Sequence, residues 1–179
     1  MKWFNKFLVL ASVVCLLAGC NKIVGDDDDI IWDFTCYSVS IYLADSRTGQ
    51  NLLDPANDGN VLGQEISVEY DGKSYPIIAD SRFNMPGELA LRHVEYEWQW
   101  NEANHRYEQI TSHHLEFGEF TPCDDFHGEE FTIHWSDGTS NKVRFDCYIV
   151  WKSKKEPEVI RKLWLDGIEQ EDWTCRITK

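Results

Sequence analysis

The sequence predicts an all-β domain: an antiparallel immunoglobulin-like β-sandwich, with a closed or partly open β-barrel as the alternative. Three observations lead to this fold class. Apolar and polar residues alternate with a period of two in most segments after Trp32, and Asp-Gly pairs separate several of those segments. No segment of helical length repeats apolar residues at spacings of three and four. Aromatic residues make up 13% of the chain, which argues against disorder.

The first 19 residues predict an export signal. Two lysines precede an uncharged apolar run from Phe7 to Leu17, an order typical of secretory signals, and the run is too short to span a bilayer. The sequence Leu17-Ala18-Gly19-Cys20 resembles the lipobox of bacterial lipoproteins. That resemblance implies cleavage before Cys20 and lipidation of its thiol, which would anchor the protein to the outer membrane.

Residues 20–31 form a predicted acidic tether. Four consecutive aspartates, residues 26–29, repel one another and cannot be buried. An acidic run shortly after the lipidated cysteine resembles the surface-export signal of Bacteroidetes-type lipoproteins, which implies display on the cell surface. A solvated spacer is the alternative interpretation.

The part after cleavage has the size and charge of one acidic domain, predicted to span residues 32–179. Cleavage leaves 160 of the 179 residues, and removing two lysines changes the formal net charge from −14 to −16. One hydrophobic core suits this length. The charge disfavours nucleic acid and anionic lipid headgroups as partners, so membrane contact would come from the lipid on Cys20.

The first strands follow from alternation and turn residues. Residues 37–43 predict a strand with one buried face, and Leu52-Leu53 in the following loop predict an apolar plug on the core. Residues 66–70 and 75–79 flank Asp71-Gly72, which predicts a β-hairpin.

Longer strands follow. Residues 89–100 show the clearest alternation, with Val94, Tyr96, Trp98 and Trp100 on one face, which we expect to be core. After a turn at residues 101–104, residues 107–120 return in one or two pieces with a break near Ser112 or Gly118. Further strands are predicted at residues 131–135, 143–151, 159–165 and 173–177, with turns at Asp137-Gly138 and Asp166-Gly167.

Four cysteines follow Cys20, and an even number in an exported protein is compatible with two disulfides. We expect Cys36 to pair with Cys175, because they belong to the first and last strands, and Cys123 to pair with Cys147. Free buried thiols remain the alternative for either pair. No Cys-x-x-Cys spacing supports a zinc or redox motif.

One loop concentrates groups that bind divalent cations. Asp124, Asp125, His127 and Glu129 could hold a metal ion if the backbone curls around it, and a solvated acidic loop is the alternative. No hydrolase nucleophile motif, zinc-protease motif or phosphate-binding glycine loop is present, so no cofactor is predicted and an enzyme is not favoured.

Four stretches resemble a group of uncharacterised Bacteroidetes-type surface lipoproteins. They are residues 51–55 (NLLDP), 70–75 (YDGKSY), 115–118 (LEFG) and 133–139 (IHWSDGT). The resemblance spans most of the chain after Cys20 and implies a compact β-domain on a lipid tether. It assigns no chemistry to any residue.

Tryptophans outside the expected core are the candidate binding residues. Trp164 alternates against Leu163 and Leu165, which places it on the polar side of a strand, and Trp32 lies beside the tether. We therefore expect a module that binds a glycan or an envelope protein. The alternatives are a structural subunit of an envelope complex or surface filament, and a hydrolase with an unrecognised site.

Overall fold

The computed structural model describes residues 32–78, 88–153 and 155–179. The chain forms two compact units, Met1–Asp33 and Phe34–Lys179. Within the first unit only Trp32 and Asp33 are described, and Trp32 is exposed. The expected export signal, the acidic tether and Cys20 lie outside the described residues.

The second unit is built from β-strands, which confirms the all-β prediction, and its described residues contain no α-helix. One 3₁₀ turn, Pro122–Asp124, interrupts the strands. The strands are β1 (Tyr37–Ala44), β2 (Ser67–Tyr70), β3 (Lys73–Ile78), β4 (Ala90–Asn101), β5 (Arg106–Phe120), β6 (Phe126–His134), β7 (Ser140–Ser153), β8 (Glu156–Leu165), β9 (Ile168–Gln170) and β10 (Thr174–Thr178).

The ten strands form one continuous sheet in the order β10-β1-β5-β4-β3-β2-β6-β7-β8-β9. Pairing is antiparallel except between β1 and β10 and between β3 and β4. The strands at the two ends of the order, β9 and β10, are joined by only three residues, 171–173. The sheet therefore curves into a nearly closed, barrel-like shape, which is the barrel alternative within the predicted class.

Strand β3 joins the two halves of this sheet. Residues 73–76 pair with β2, whereas Ile77 and Ile78 pair with Leu91 and Arg92 of β4. Pro76 lies where the partner changes. Proline has no N–H to donate to a ladder, so it suits a position where one pairing ends.

The core lies inside the curve of the sheet. Phe117 of β5 is 5.0 Å from Phe131 of β6, and Phe120 of β5 is 4.4 Å from Phe145 of β7, measured between ring centroids. These strands are not neighbours in the sheet, so the rings meet across the interior. All four rings are at most 1% exposed, and burying each stabilises the fold by about 2–3 kcal/mol.

The turns and the loop plug agree with the sequence predictions. Asp71 and Gly72 have φ of 48° and 67°, and Asp166 and Gly167 have φ of 50° and 85°. Positive φ at both central residues matches the twist of a two-residue hairpin. Leu53 is fully buried in the core cluster, as expected of a plug.

The strand directions place the start of β1 and the β4–β5 turn at different ends of the barrel. Strands β1 and β4 are both antiparallel to β5 and therefore run the same way. The chain enters the barrel at the start of β1, and the β4–β5 turn follows the end of β4. These two points consequently lie at opposite ends of the barrel.

Candidate binding surface on the β4–β5 hairpin

The β4–β5 hairpin extends beyond its neighbouring strands. Strand β1 pairs with β5 only from Leu115 to Phe120, and the described part of β3 pairs with β4 only at Leu91 and Arg92. In the described ranges, residues 95–111 thus form a two-stranded arm without a third strand. We call these residues the hairpin arm. Each of its strands adds roughly 20 Å to the sheet at about 3.4 Å per residue.

A β-bulge lies where the hairpin arm leaves the barrel. The register shifts between Val94, which pairs with His114, and Tyr96, which pairs with Thr111. An extra residue on one strand bends that strand and increases its twist. The bulge lies beside Ser112, one of the two positions where the sequence predicted a break, and strand β5 nevertheless continues through it.

Polar contacts fasten the hairpin arm to β1. The Tyr42 hydroxyl donates to Glu97 Oε2 at 3.1 Å, and the Tyr42 ring stacks on His114 with 5.0 Å between centroids. His114 Nδ1 lies 2.9 Å from the Ser112 carbonyl and Nε2 lies 3.4 Å from Glu116 Oε1. Burial by itself lowers the pKa of His114, but these contacts and the Glu97 carboxylate outweigh it and raise that pKa.

One face of the hairpin arm carries exposed aromatic rings. Strand alternation puts Tyr96, Trp98 and Trp100 on this face, with Tyr107 opposite Trp100. Their exposed fractions are 50%, 67%, 42% and 64% in that order. The prediction that Trp98 and Trp100 belong to the core is therefore wrong. Alternation correctly gives one shared face, but the hairpin arm lies beyond the barrel and no opposing layer covers this face in the described structure.

The strand register shows a difference between this face and a core face. The cross-strand partners of Tyr96, Trp98 and Trp100 are Thr111, Gln109 and Tyr107. Each partner has a polar group, whereas the buried pair Leu91 and Phe117 is apolar on both strands. Two of the three partners are polar residues and the third is a tyrosine with a hydroxyl group, so this face fits a surface exposed to water.

The aromatic rings form a platform of useful size. Alternate residues on a strand are about 7 Å apart, so the three rings of β4 follow a line. Trp100 and Tyr107 meet edge to face at 5.2 Å between centroids. With an area of about 200 Å² per aromatic side chain, the exposed fractions leave roughly 450 Å² of aromatic surface in water. The largest apolar patch on a typical monomer covers about 300–600 Å² and is often functional.

The tip of the hairpin arm adds hydrogen-bonding groups. Asn101 Nδ2 donates to Glu108 Oε2 at 2.7 Å, and Arg106 Nε donates to Glu108 Oε1 at 2.9 Å. Hydrogen bonds from Asn101, Arg106 and Asn104 lower the pKa of Glu108, which keeps it ionised. A shallow depression of about 340 Å³ lies here, lined by Gln99, Trp100, Asn101, Glu102, Ala103, Glu108 and Ile110.

A second depression, of about 250 Å³, lies beside the C-terminus. Lys179 Nζ is 2.8 Å from Asp137 Oδ2 and 4.9 Å from the centroid of the Trp135 ring. The ammonium group and the Thr139 side chain hold the pKa of Asp137 well below its usual range. The charges of Lys179 and Asp137 already neutralise each other, so we assign this region a structural role.

Of the two tryptophans predicted to bind, Trp164 lies on a different part of the sheet from the hairpin arm. Trp164 is on β8 opposite Arg144, and the guanidinium carbon of Arg144 lies 4.0 Å from the centroid of its ring. One ring face of Trp164 is thus covered by a side chain of the same protein. Trp32 is 40% exposed and belongs to the first unit.

The predicted metal site is not formed. No group of three or more His, Cys, Asp or Glu side chains in the described parts of the chain could hold a metal ion. Asp124 belongs to the 3₁₀ turn, and His127 contacts Asp125 at 3.2 Å. Glu129 accepts from the Tyr70 hydroxyl at 3.3 Å instead. A register shift between Phe126 and Glu129 spreads the four candidate side chains, so they do not converge.

The predicted disulfide pairs are not present either. All four described cysteines are free. Cys175 lies opposite Ile41, five residues along β1 from Cys36, which separates the two by roughly 17 Å of extended chain. Disulfides need Cα atoms within about 7 Å, so the pairing of Cys36 with Cys175 is wrong. Cys147 is fully buried whereas Cys123 is exposed, and no bond joins them.

No protein-family model matches this chain, no curated protein matches it, and no solved structure matches it. Among the described residues, no helix has the length and apolar character needed to cross a membrane.

Proposed function

We propose that this protein is a lipid-anchored binding module of the outer membrane, exposed at the cell surface, that holds a glycan on the aromatic face of its hairpin arm. The observation that carries the proposal is the line of Tyr96, Trp98 and Trp100, each 42–67% exposed on one strand of a projecting hairpin. The lipobox-like sequence at Cys20 and the resemblance to Bacteroidetes-type surface lipoproteins support the location.

The chemistry of the surface suits a sugar chain. Aromatic rings present flat apolar faces on which the C–H faces of sugar rings can stack, while nearby amide and carboxylate groups accept and donate to hydroxyls. Gln109 supplies such an amide opposite Trp98, and Asn101 lines the depression at the tip beside Trp100. Because the chain carries a formal net charge of −14, neutral or amine-bearing glycans fit this surface better than anionic ones.

The position of the hairpin arm also supports binding. The β4–β5 turn lies at the end of the barrel away from the start of β1, and no described strand covers the aromatic face there.

A protein partner is the second candidate, and the open edges of the hairpin arm favour it. Within the described ranges, no third strand pairs with the backbone of residues 96–107. Such edges can accept an extended segment of another chain by β-strand addition. With a protein partner bound in this way, the protein would be an accessory subunit of an envelope complex or surface filament.

A glycan array with the full-length protein in detergent tests the proposal. We expect the wild type to bind neutral or amine-bearing glycans, and Trp98→Ala and Trp100→Ala to weaken that binding about tenfold or more, since buried aromatic contacts dominate many interfaces. Trp151→Ala is the matched control. This tryptophan is 50% exposed on β7, at the opposite end of the barrel, and its loss should leave binding unchanged.

The array separates the two candidates. Failure of the wild type to bind any glycan would refute the glycan proposal. If a cross-linking pull-down from the same envelope then captured a protein through the wild type but not through Trp98→Ala, the second candidate would replace it. Equal loss of glycan binding in the Trp151→Ala control would contradict the assignment of the site to the hairpin arm.

A further inference from the structure

Two exposed cysteines flank the same end of the β1–β5 ladder. The last rung joins Tyr37 to Phe120, so Cys36 leaves β1 at the point where residue 121 leaves β5. The 3₁₀ turn then folds Cys123 back, because its N–H donates to Thr121 Oγ1 at 3.3 Å. A turn of this kind advances only about 2 Å per residue. Cys123 therefore stays close to the pair formed by Tyr37 and Phe120, which Cys36 directly precedes in the chain.

The electrostatics of Cys36 agree with this placement. Desolvation, then the carboxylates of Glu119 and Asp124, and also the Cys123 thiolate raise the pKa of Cys36. Between two exposed groups such an effect acts within about 10 Å, because water and salt screen it beyond that. This effect agrees with a position of Cys36 within about 10 Å of Cys123, and the same effect acts between Cys36 and Cys147.

The remaining two described cysteines are in a different environment. Cys147 and Cys175 are fully buried, and burial raises their pKa to about 11 and about 12. An oxidant in solution must reach the sulfur atom, and a fully buried thiol gives it no access. Cys36 and Cys123 are accessible to an oxidant, whereas Cys147 and Cys175 are not.

We propose that Cys36 and Cys123 form a disulfide bond in the exported protein, an inference that rests on the export included in the proposed function. The two thiols would lose two protons and two electrons as the S–S bond forms. The disulfide of a thiol–disulfide oxidoreductase in the export compartment would accept them and become a dithiol. The bond would fasten the entry of the chain to the connection between β5 and β6.

Peptide mapping of the full-length protein from membranes tests this pairing. The protein is alkylated in denaturant without reduction, digested and analysed by mass spectrometry. We expect a linked peptide pair containing Cys36 and Cys123, together with alkylated Cys147 and Cys175. Recovery of alkylated Cys36 and Cys123, or a link from either one to Cys147, would overturn the inference. In Cys36→Ser, Cys123 should become alkylated, whereas Cys175→Ser should keep the linked pair.

Two further measurements keep export and disulfide formation separate. The mass of the N-terminal peptide reports whether the chain is cleaved and lipidated at Cys20, so an exported protein with free Cys36 and Cys123 refutes the disulfide alone. If the chain is not exported, purified reduced protein is treated with oxidised glutathione. We expect it to form the Cys36–Cys123 bond first and to unfold on the order of 10 °C higher than the reduced form. A different first pair would refute the proposed proximity.

Discussion

Replacing Gly118 with alanine should destabilise the barrel more than the same change at any other described glycine. Gly118 lies on β5 opposite Ser38 of β1 and has φ of +147°, a conformation that is essentially restricted to glycine. A Cβ atom at this position would lie 2.8 Å from the Tyr37 carbonyl oxygen and 2.9 Å from Ser38 Cα. Both are backbone atoms of the neighbouring strand, so they cannot move without disrupting the ladder.

The expected cost has two parts. The unfavourable φ costs about 1–3 kcal/mol, and forcing extra volume into a packed site costs about 1–3 kcal/mol more. We expect Gly118→Ala to lower the free energy of unfolding by roughly 3–5 kcal/mol. Gly128→Ala is the matched control, because Gly128 has φ of +66° in the bulge of β6 and no atom lies within 4 Å of the place that an alanine Cβ would take. The control retains only the conformational cost, about 1–2 kcal/mol.

Urea unfolding followed by tryptophan fluorescence measures both variants, with the free energy obtained by linear extrapolation. The quantity of interest is the difference between the two variants, about 2–3 kcal/mol from the estimates above. Gly118→Ala with a free energy of unfolding equal to that of Gly128→Ala would refute the reasoning. It would mean that β1 and β5 do not approach each other as closely at this rung as the structure places them.

Three further predictions concern the hairpin arm, the buried His114 beside it and the lipid anchor. Trp98→Ala should change the free energy of unfolding by less than about 1 kcal/mol, because Trp98 is 67% exposed, whereas Phe145→Ala should cost about 3–5 kcal/mol in the same urea assay. The raised pKa of His114 stabilises the fold fully below pH 6.5, and this stabilisation should disappear as the pH rises through that pKa. The difference in free energy of unfolding between wild type and His114→Gln should therefore shrink above pH 6.5, and a constant difference would contradict it. Cys20→Ala should release the protein from the membrane fraction, and retention in detergent-extractable membranes would refute lipidation there.

Local patterns in the sequence were sufficient for the strands and their turns. Alternation around Val39 and Ile41 predicts a half-buried strand because side chains on a strand point to opposite faces, and both residues are fully buried. Asp71-Gly72 and Asp166-Gly167 predict hairpins because a two-residue turn needs positive φ at both positions, and both pairs adopt it. These features depend on a few adjacent residues, so the sequence contains them directly.

The tertiary structure alone decided which faces meet other strands. The same alternation places Val39 and Ile41 on one face of β1 and Trp98 and Trp100 on one face of β4, yet Val39 and Ile41 are fully buried whereas Trp98 is 67% exposed. Likewise, Cys36 directly precedes the first strand and Cys175 lies in the last, but the parallel register of β1 and β10 places Cys175 beside Ile41. Burial and disulfide pairing depend on how far each strand extends past its neighbours and in which register it pairs. Those quantities arise from contacts between residues distant in the chain, and a period of two along one strand carries no information about them.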